Sequence, residues 1–230
     1  MGDGLVTGKI LVPFAAETTL VIAPCETDRG ARWLTVETAA AEPHPAETFD
    51  ITADARWLSF EKTPVDQGNS LDSDRFSDVL TLLVLGEMVG SAAACLDETV
   101  AYVKDRKQFE RPVGSNQAVK HMAADAVTSL EAMKATVEYA AWTFDTVTGD
   151  DPETLEDARL SLLTARSFVG DRAKRIAEHC VQMHGGIAFT WDYGLHRHLK
   201  RINYRRSTIV KSRYGRQELA QALLDSAAQA

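Results

Sequence analysis

The chain has 230 residues, of which 45% are hydrophobic, and a formal net charge of −8. That length allows one large or two small domains with a substantial core, and the acidic balance argues against general affinity for nucleic acid. The N-terminal MGDGLVTG has no signal-peptide pattern and no apolar run is expected to reach bilayer length, so a soluble, cytoplasmic protein without a membrane partner is expected. Cys25, Cys95 and Cys180 are widely spaced and odd in number, which fits reduced thiols packed as small hydrophobes. His184, His196 and His198 find no third ligand at a suitable spacing, so no metal is expected.

The fold class read from the pattern is α+β: a small β region over residues 1–68, then an antiparallel bundle of long helices over 69–230. In the first region Leu5–Val12 forms a strand broken at Gly8, and Thr19–Ala23 is a run of β-formers stopped by Pro24. Trp33–Glu37 and Ala55–Phe60 alternate at period two, as half-buried strands do. Glu42-Pro43-His44-Pro45 between them reads as a loop, and Gln67-Gly68-Asn69-Ser70 punctuates the change of period.

From Ser73 to Lys104 apolar residues recur at helical spacing, with Gly86 and Gly90 inside the pattern. Those glycines cost stability unless a neighbouring helix approaches closely there. Asn116–Thr146 repeats the pattern, with Ser115 or Asn116 as N-cap and Gly149 as stop. Asp151-Pro152-Glu153 then opens a third helix with a cap, a first-turn proline and an acid near the positive end. Gly185-Gly186 can end it, and a short last helix covers about Tyr214–Leu224.

Two stretches carry the chemistry. In Arg106-Lys107-Gln108-Phe109-Glu110-Arg111-Pro112, an arginine just past a helix offers a planar fork of donors to a diphosphate. An aromatic a few residues on can cover an adenine or flavin edge. In Gln182-Met183-His184-Gly185-Gly186, two glycines let a backbone approach a phosphate, and a Gln side chain can donate to it. Downstream, His196–Arg216 is rich in arginine and lysine and reads as a local positive face that meets an acidic partner.

Together these motifs resemble the C-terminal helical domain of the acyl-CoA dehydrogenases, FAD enzymes that oxidise acyl-CoA thioesters. The resemblance implies that Arg106, Gln108, Phe109, Gln182, Gly185 and Gly186 bind FAD held by a neighbouring chain. Glu110 replaces the family's usual glycine. Residues 1–68 resemble the later part of the family's middle β domain, and the family's N-terminal helical domain has no counterpart in this sequence. There Lys9 is followed by Ile10-Leu11-Val12-Pro13, and Leu11 and Pro13 supply no donor where the family contacts its own flavin.

The family takes the substrate's α-proton with a glutamate from Tyr-Glu-Gly-Thr. Here the segment reads Tyr204-Arg205-Arg206-Ser207-Thr208, and arginine is not a base at neutral pH. The alternative position on the first long helix falls at Leu80 and Thr81. Asp78 lies half a turn away, and Glu87, two turns on, reads as an ordinary helical acid. No catalytic residue is assigned.

What the family uses on its own flavin is therefore absent, and what it lends to a neighbour's is present. This resembles the non-catalytic subunit of actinobacterial heteromeric acyl-CoA dehydrogenases, some acting on steroid side-chain CoA esters. The implied partners are a longer subunit with an intact glutamate in an α2β2 assembly, acyl-CoA bound mainly in that partner, and electron-transfer flavoprotein as acceptor. Two rivals stand beside it: a self-sufficient homo-oligomeric dehydrogenase with Asp78 as base, and a flavin-free helical scaffold.

Overall fold

A computed structural model describes residues 5–27, 30–71, 73–147 and 151–229. The chain divides into two compact units, Met1–Val79 and Leu80–Ala230.

The first unit holds two three-stranded antiparallel sheets. One has the order β1 (Leu5–Val12), β5 (Arg56–Pro64), β4 (Glu42–Pro45), and the other β2 (Leu20–Thr27), β3 (Gly30–Glu37), β6 (Asp66–Leu71). Val12, Val21, Ala23, Val36, Leu58 and Phe60 form its core, taken from alternate positions as the strand period requires. Three expectations need correction. The Glu42–Pro45 segment is an edge strand rather than a loop, paired with β5 through Pro43↔Leu58 and Pro45↔Arg56. Its prolines are two residues apart, so both missing donors face the same side, the open edge, where no ladder bond is lost. Likewise Pro24 does not stop β2 but sits within it, on another edge. The Gln67–Ser70 segment is part of β6, which pairs with β3.

Among the described residues five helices dominate the rest of the chain, four of them expected from the sequence pattern: α1 (Ser73–Asp105), α2 (Gln117–Thr146), α3 (Pro152–His184), α4 (His196–Arg205) and α5 (Ser212–Gln229). Asp151 caps α3 by accepting from the Thr154 amide at 3.4 Å, ahead of Pro152 in the first turn, which satisfies one otherwise orphaned donor. Asn116 occupies the N-cap of α2 but makes no side-chain cap bond. The stop expected at Gly149 lies outside the described residues. α5 is longer than expected at both ends, and α4 was not anticipated as a helix. A π-helical segment, Arg206–Val210, links the two and ends at Lys211 in the left-handed region, φ 47°.

By length and composition α1 is apolar enough to cross a membrane, contrary to the sequence reading. Its residues Leu85, Met88, Ala92, Cys95 and Leu96 nevertheless belong to the buried core of the helical unit, with Met133, Ile176 and Cys180. Among the described residues nothing approaches Gly86 or Gly90 closely, since a Cβ at either meets nothing within 4 Å, so both glycines carry their helical cost.

Candidate functional site

Arg106 follows the last residue of α1, and its amide still donates to the Tyr102 carbonyl at 2.8 Å. Its own carbonyl accepts from Val113 N–H at 2.8 Å, closing a small hairpin of β7 (Lys107–Gln108) and β8 (Arg111–Pro112). The two tip residues, Phe109 and Glu110, have φ of 51° and 64°, the two-residue turn that glycine and asparagine favour. Phe109 is 94% exposed, and Arg106 and Gln108 are exposed as well. Gly114 lets this hairpin press against α1, since a Cβ there would stand 2.9 Å from the Val103 carbonyl oxygen. Arg111 is engaged locally, donating to Asn116 Oδ1 at 3.1 Å.

The second motif ends α3. Gly185, at φ +68°, donates to the Gln182 and Val181 carbonyls, the glycine stop that an L side chain would strain. Gln182, Gly185 and Gly186 are exposed, and a Cβ on either glycine would meet open space. Ile187, Phe189 and Trp191 follow with substantial exposure, whereas Ala188 is buried and anchors the segment.

Between the two motifs lies an aromatic cluster that sequence reading missed. Tyr102 stacks on His184 with ring centroids 4.3 Å apart, and Tyr193 meets Tyr102 edge-on at 5.7 Å. His184 Nδ1 lies 2.9 Å from the Cys180 carbonyl and Nε2 lies 3.1 Å from the Tyr193 hydroxyl. A carbonyl only accepts, so Nδ1 carries the proton and Nε2 accepts from Tyr193 O–H. Burial lowers the His184 pKa against the opposing pull of the Cys180 carbonyl and Glu98, which keeps this neutral tautomer. Glu98, Ala101, Tyr102, Asp105, Arg106 and Tyr193 line an open groove of about 690 Å³. Arg106 shares that groove with Tyr102, the ring that stacks on His184, but Gln182, Gly185 and Gly186 do not line it. Gln108 and Phe109 do not line that groove; they stand out on the hairpin. No spacing rule in the sequence links Tyr102, His184 and Tyr193, so nothing flagged them beforehand.

The position of the family's glutamate is occupied differently. Arg205 is buried, at 8% exposure, and its Nε lies 2.9 Å from Glu87 Oε2. Arg201 approaches the other Glu87 oxygen at 3.4 Å. The Arg205–Glu87 contact is close enough for an ion pair but not aligned as a hydrogen bond, leaving Arg205 Nε and Glu87 Oε1 without one. Glu87 is thus the counter-ion of Arg205 rather than the ordinary helical acid expected. Thr81 is buried and Asp78 is partly buried. Beside this pair, Ser91 Oγ lies 3.1 Å from His198 Nδ1, with Glu98 3.7 Å from its Nε2.

The positive face expected over His196–Arg216 is paired only in part inside the chain, with one carboxylate to each two arginines. Arg201 and Arg205 face Glu87, Arg206 and Arg216 share Asp171, and the Lys200 ammonium lies 4.9 Å from the Trp191 ring. Burial alone would raise the Asp171 pKa, but the hydrogen bond and charge of Arg206, with Ser212 and Arg216, hold it below the ordinary carboxylate range.

A sequence profile described as "Acyl-CoA dehydrogenase, C-terminal domain" matches residues 78–209. The chain belongs to the acyl-CoA dehydrogenase family. It is 36% identical over 167 residues to the acyl-CoA dehydrogenase IpdE2 of Mycolicibacterium smegmatis, and 36% identical over 162 residues to IpdE2 of Mycobacterium tuberculosis. Those matches cover 73% and 69% of this chain but 48% and 45% of the relatives, so the chain spans about half the length of the curated relatives it matches. Among solved structures, a variant of the Tcur3481–Tcur3483 steroid ACAD aligns with a TM-score of 0.83 at 23% identity, covering 99% of this chain and 62% of that one. The ChsE4–ChsE5 complex from Mycobacterium tuberculosis aligns with a TM-score of 0.82 at 22% identity, covering 97% and 61%. At such identities these likenesses establish the fold, the acyl-CoA dehydrogenase helical domain with part of its β region.

FAD is the cofactor of this family, and the exposed residues fit one edge of it. Arg106 has no ion-pair partner among the described residues, Phe109 offers a free ring face, and the backbone at Gly185 and Gly186 is open to a phosphate. No carboxylate stands where the family places its base on α4.

Proposed function

We propose that this chain is the FAD-completing, non-catalytic subunit of a heteromeric acyl-CoA dehydrogenase. One observation carries the reading: the Arg205 guanidinium is buried against Glu87 at the base position, while the residues that reach a neighbour's flavin are exposed and uncommitted. The two-component names of the ChsE4–ChsE5 complex and the Tcur3481–Tcur3483 steroid ACAD support it by analogy of fold. In this reading FAD, when bound, supplies the hydride acceptor for α,β-desaturation. Arg106 pairs with its diphosphate, Phe109 covers a ring edge, and Gln182, Gly185 and Gly186 approach from the other motif, with Gln108 beside them on the hairpin. The longer partner contributes the base, most of the acyl pocket and the docking face for electron-transfer flavoprotein; a steroid side-chain CoA ester is the proposed substrate, and the cytoplasm the proposed location. The domain boundary proposed with this reading falls near residue 68.

Purification tests it directly. The chain alone is expected to be colourless and inactive toward acyl-CoA. Co-expressed with a longer relative that keeps its glutamate, it is expected to yield a yellow complex, and Arg106→Ala is expected to weaken flavin retention. A yellow, active oligomer of this chain alone would overturn the reading in favour of a self-sufficient enzyme and direct attention to Asp78. Absence of flavin in both preparations would leave a scaffold.

A further inference from the structure

Beside α3 is a cleft of about 480 Å³ that neither of the two flavin-binding motifs lines. Its walls carry five cationic side chains, Arg172, Lys174, Arg175, Arg206 and Arg216, against two carboxylates, Asp171 and Glu178. That is a local surplus of three positive charges on a chain whose net charge is −8. The pairing within the cleft is uneven. Lys174 is matched to Glu178, whereas Asp171 alone serves both Arg206 and Arg216. Arg206 donates to Asp171 through Nε at 3.0 Å and Nη2 at 2.6 Å, and Ser212 Oγ donates to the same oxygen at 3.1 Å. This shared carboxylate fixes two guanidinium groups in place before any ligand arrives, so the field they supply is preset.

Arg172 and Arg175 complete the arrangement. Arg172 lies over the Phe168 ring, 5.3 Å from its centroid, and Arg175 has no ion-pair partner among the described residues. Elsewhere on α3 the cations are matched: Arg159 pairs with Glu156 and Arg166 with Glu218. Both free arginines also face a second, smaller cleft of about 280 Å³ between α2 and α3, with Asp125, Thr128, Ser129 and His179 among its lining. Planar guanidinium forks on either side of such a gap suit tetrahedral oxyanions, which they bind bidentately. One phosphoryl group would not neutralise a surplus of three charges.

We infer that this cleft binds a small molecule bearing a diphosphate or an equivalent pair of phosphoryl groups, with Arg172 and Arg175 as its direct contacts and Arg206 and Arg216 supplying the fixed positive field. The inference is independent of the flavin reading, because it uses neither Arg106 nor the Gln182–Gly186 motif.

Calorimetric titration of the whole chain with inorganic diphosphate tests it. Saturable one-to-one binding is expected, stronger than that of orthophosphate, and weakened about tenfold or more by Arg172→Ala and by Arg175→Ala. Arg159→Ala, on the same helix but already paired, should bind as wild type does. Both cleft arginines are exposed, so unchanged melting of their variants will show that the fold is intact. Absence of saturable binding would overturn the inference. So would loss of binding in Arg106→Ala with retention in both cleft variants, which would assign the diphosphate to the flavin motif. Tighter binding of a hexaglutamate peptide than of diphosphate would overturn it in favour of an acidic protein partner.

Discussion

Glu87→Gln is the sharpest test of what occupies the base position. It removes the only carboxylate among the described residues that pairs with the Arg205 side chain, whose exposure is 10% against 29% for Glu87, and leaves a guanidinium charge buried. Breaking a fully buried pair from one side costs roughly 3–5 kcal/mol. Glu87 keeps some solvent access and the 2.9 Å contact lacks hydrogen-bond alignment, so about 2–3 kcal/mol is the expected loss. With about 2–4 °C of melting temperature per kcal/mol for a chain of this size, the variant should melt about 4–12 °C lower. The double replacement Glu87→Leu with Arg205→Met removes both charges and should recover most of that loss, because two apolar side chains of similar volume need no partners. Urea unfolding followed by far-UV circular dichroism, run as a double-mutant cycle, gives the coupling directly. Stability of Glu87→Gln within about 0.5 kcal/mol of wild type, or a double variant worse than either single, would refute the claim that this pair is a buried structural lock.

Other consequences are testable in the same preparation. Glu110→Gly relieves a left-handed residue at φ 64° and should stabilise the hairpin by up to about 1 kcal/mol, read as a small rise in melting temperature; a fall would show that the tip conformation is held by Glu110 itself. Tyr193→Phe leaves His184 Nε2 without its donor at 3.1 Å and should cost about 1–3 kcal/mol, measured by denaturant unfolding. The Asp171 carboxyl has a lowered pKa in the folded chain, so its stabilising contribution is complete above the ordinary carboxylate pKa and is lost as pH falls through the depressed folded value. The stability gap between wild type and Asp171→Asn should accordingly be largest near neutral pH and shrink in acid; a gap that widens as pH falls would contradict the assignment.

Much of this architecture was legible in the order of residues. The long helices were readable because their apolar period persists over eight or more turns and because Asp151-Pro152 and Gly185 mark ends that follow from backbone chemistry. The short edge strand Glu42–Pro45 was not, since two prolines normally argue against a ladder and only the partner β5 reveals that both face its open side. α4 was obscured by its charge: a helix of arginines and histidines reads as a solvated run until Glu87 and Ser91 on α1 are seen to receive it. The same holds for the candidate site. The two motifs announce themselves by residue type, but the Tyr102–His184–Tyr193 cluster joining them comes from positions about 80 residues apart, where no local period can signal contact.

If Arg205 stands at the family's base position, as proposed, its pairing with Glu87 has a further consequence. A guanidinium buried next to the apolar side of α4 is tolerable only with a carboxylate facing it, so Arg205 and Glu87 are interdependent. Restoring the family's residue alone by Arg205→Glu would set two carboxylates against each other, raising the pKa of one and destabilising the α1–α4 contact. It is therefore not expected to create a working base, whereas Arg205→Glu combined with Glu87→Gln removes the repulsion. Comparing the two variants, each co-expressed with the longer subunit, separates a site rebuilt for structure from one that has merely lost a single residue. If the single replacement alone folded as stably as wild type and turned over acyl-CoA without a partner, the pair would be dispensable and the chain would be a dehydrogenase one substitution from self-sufficiency.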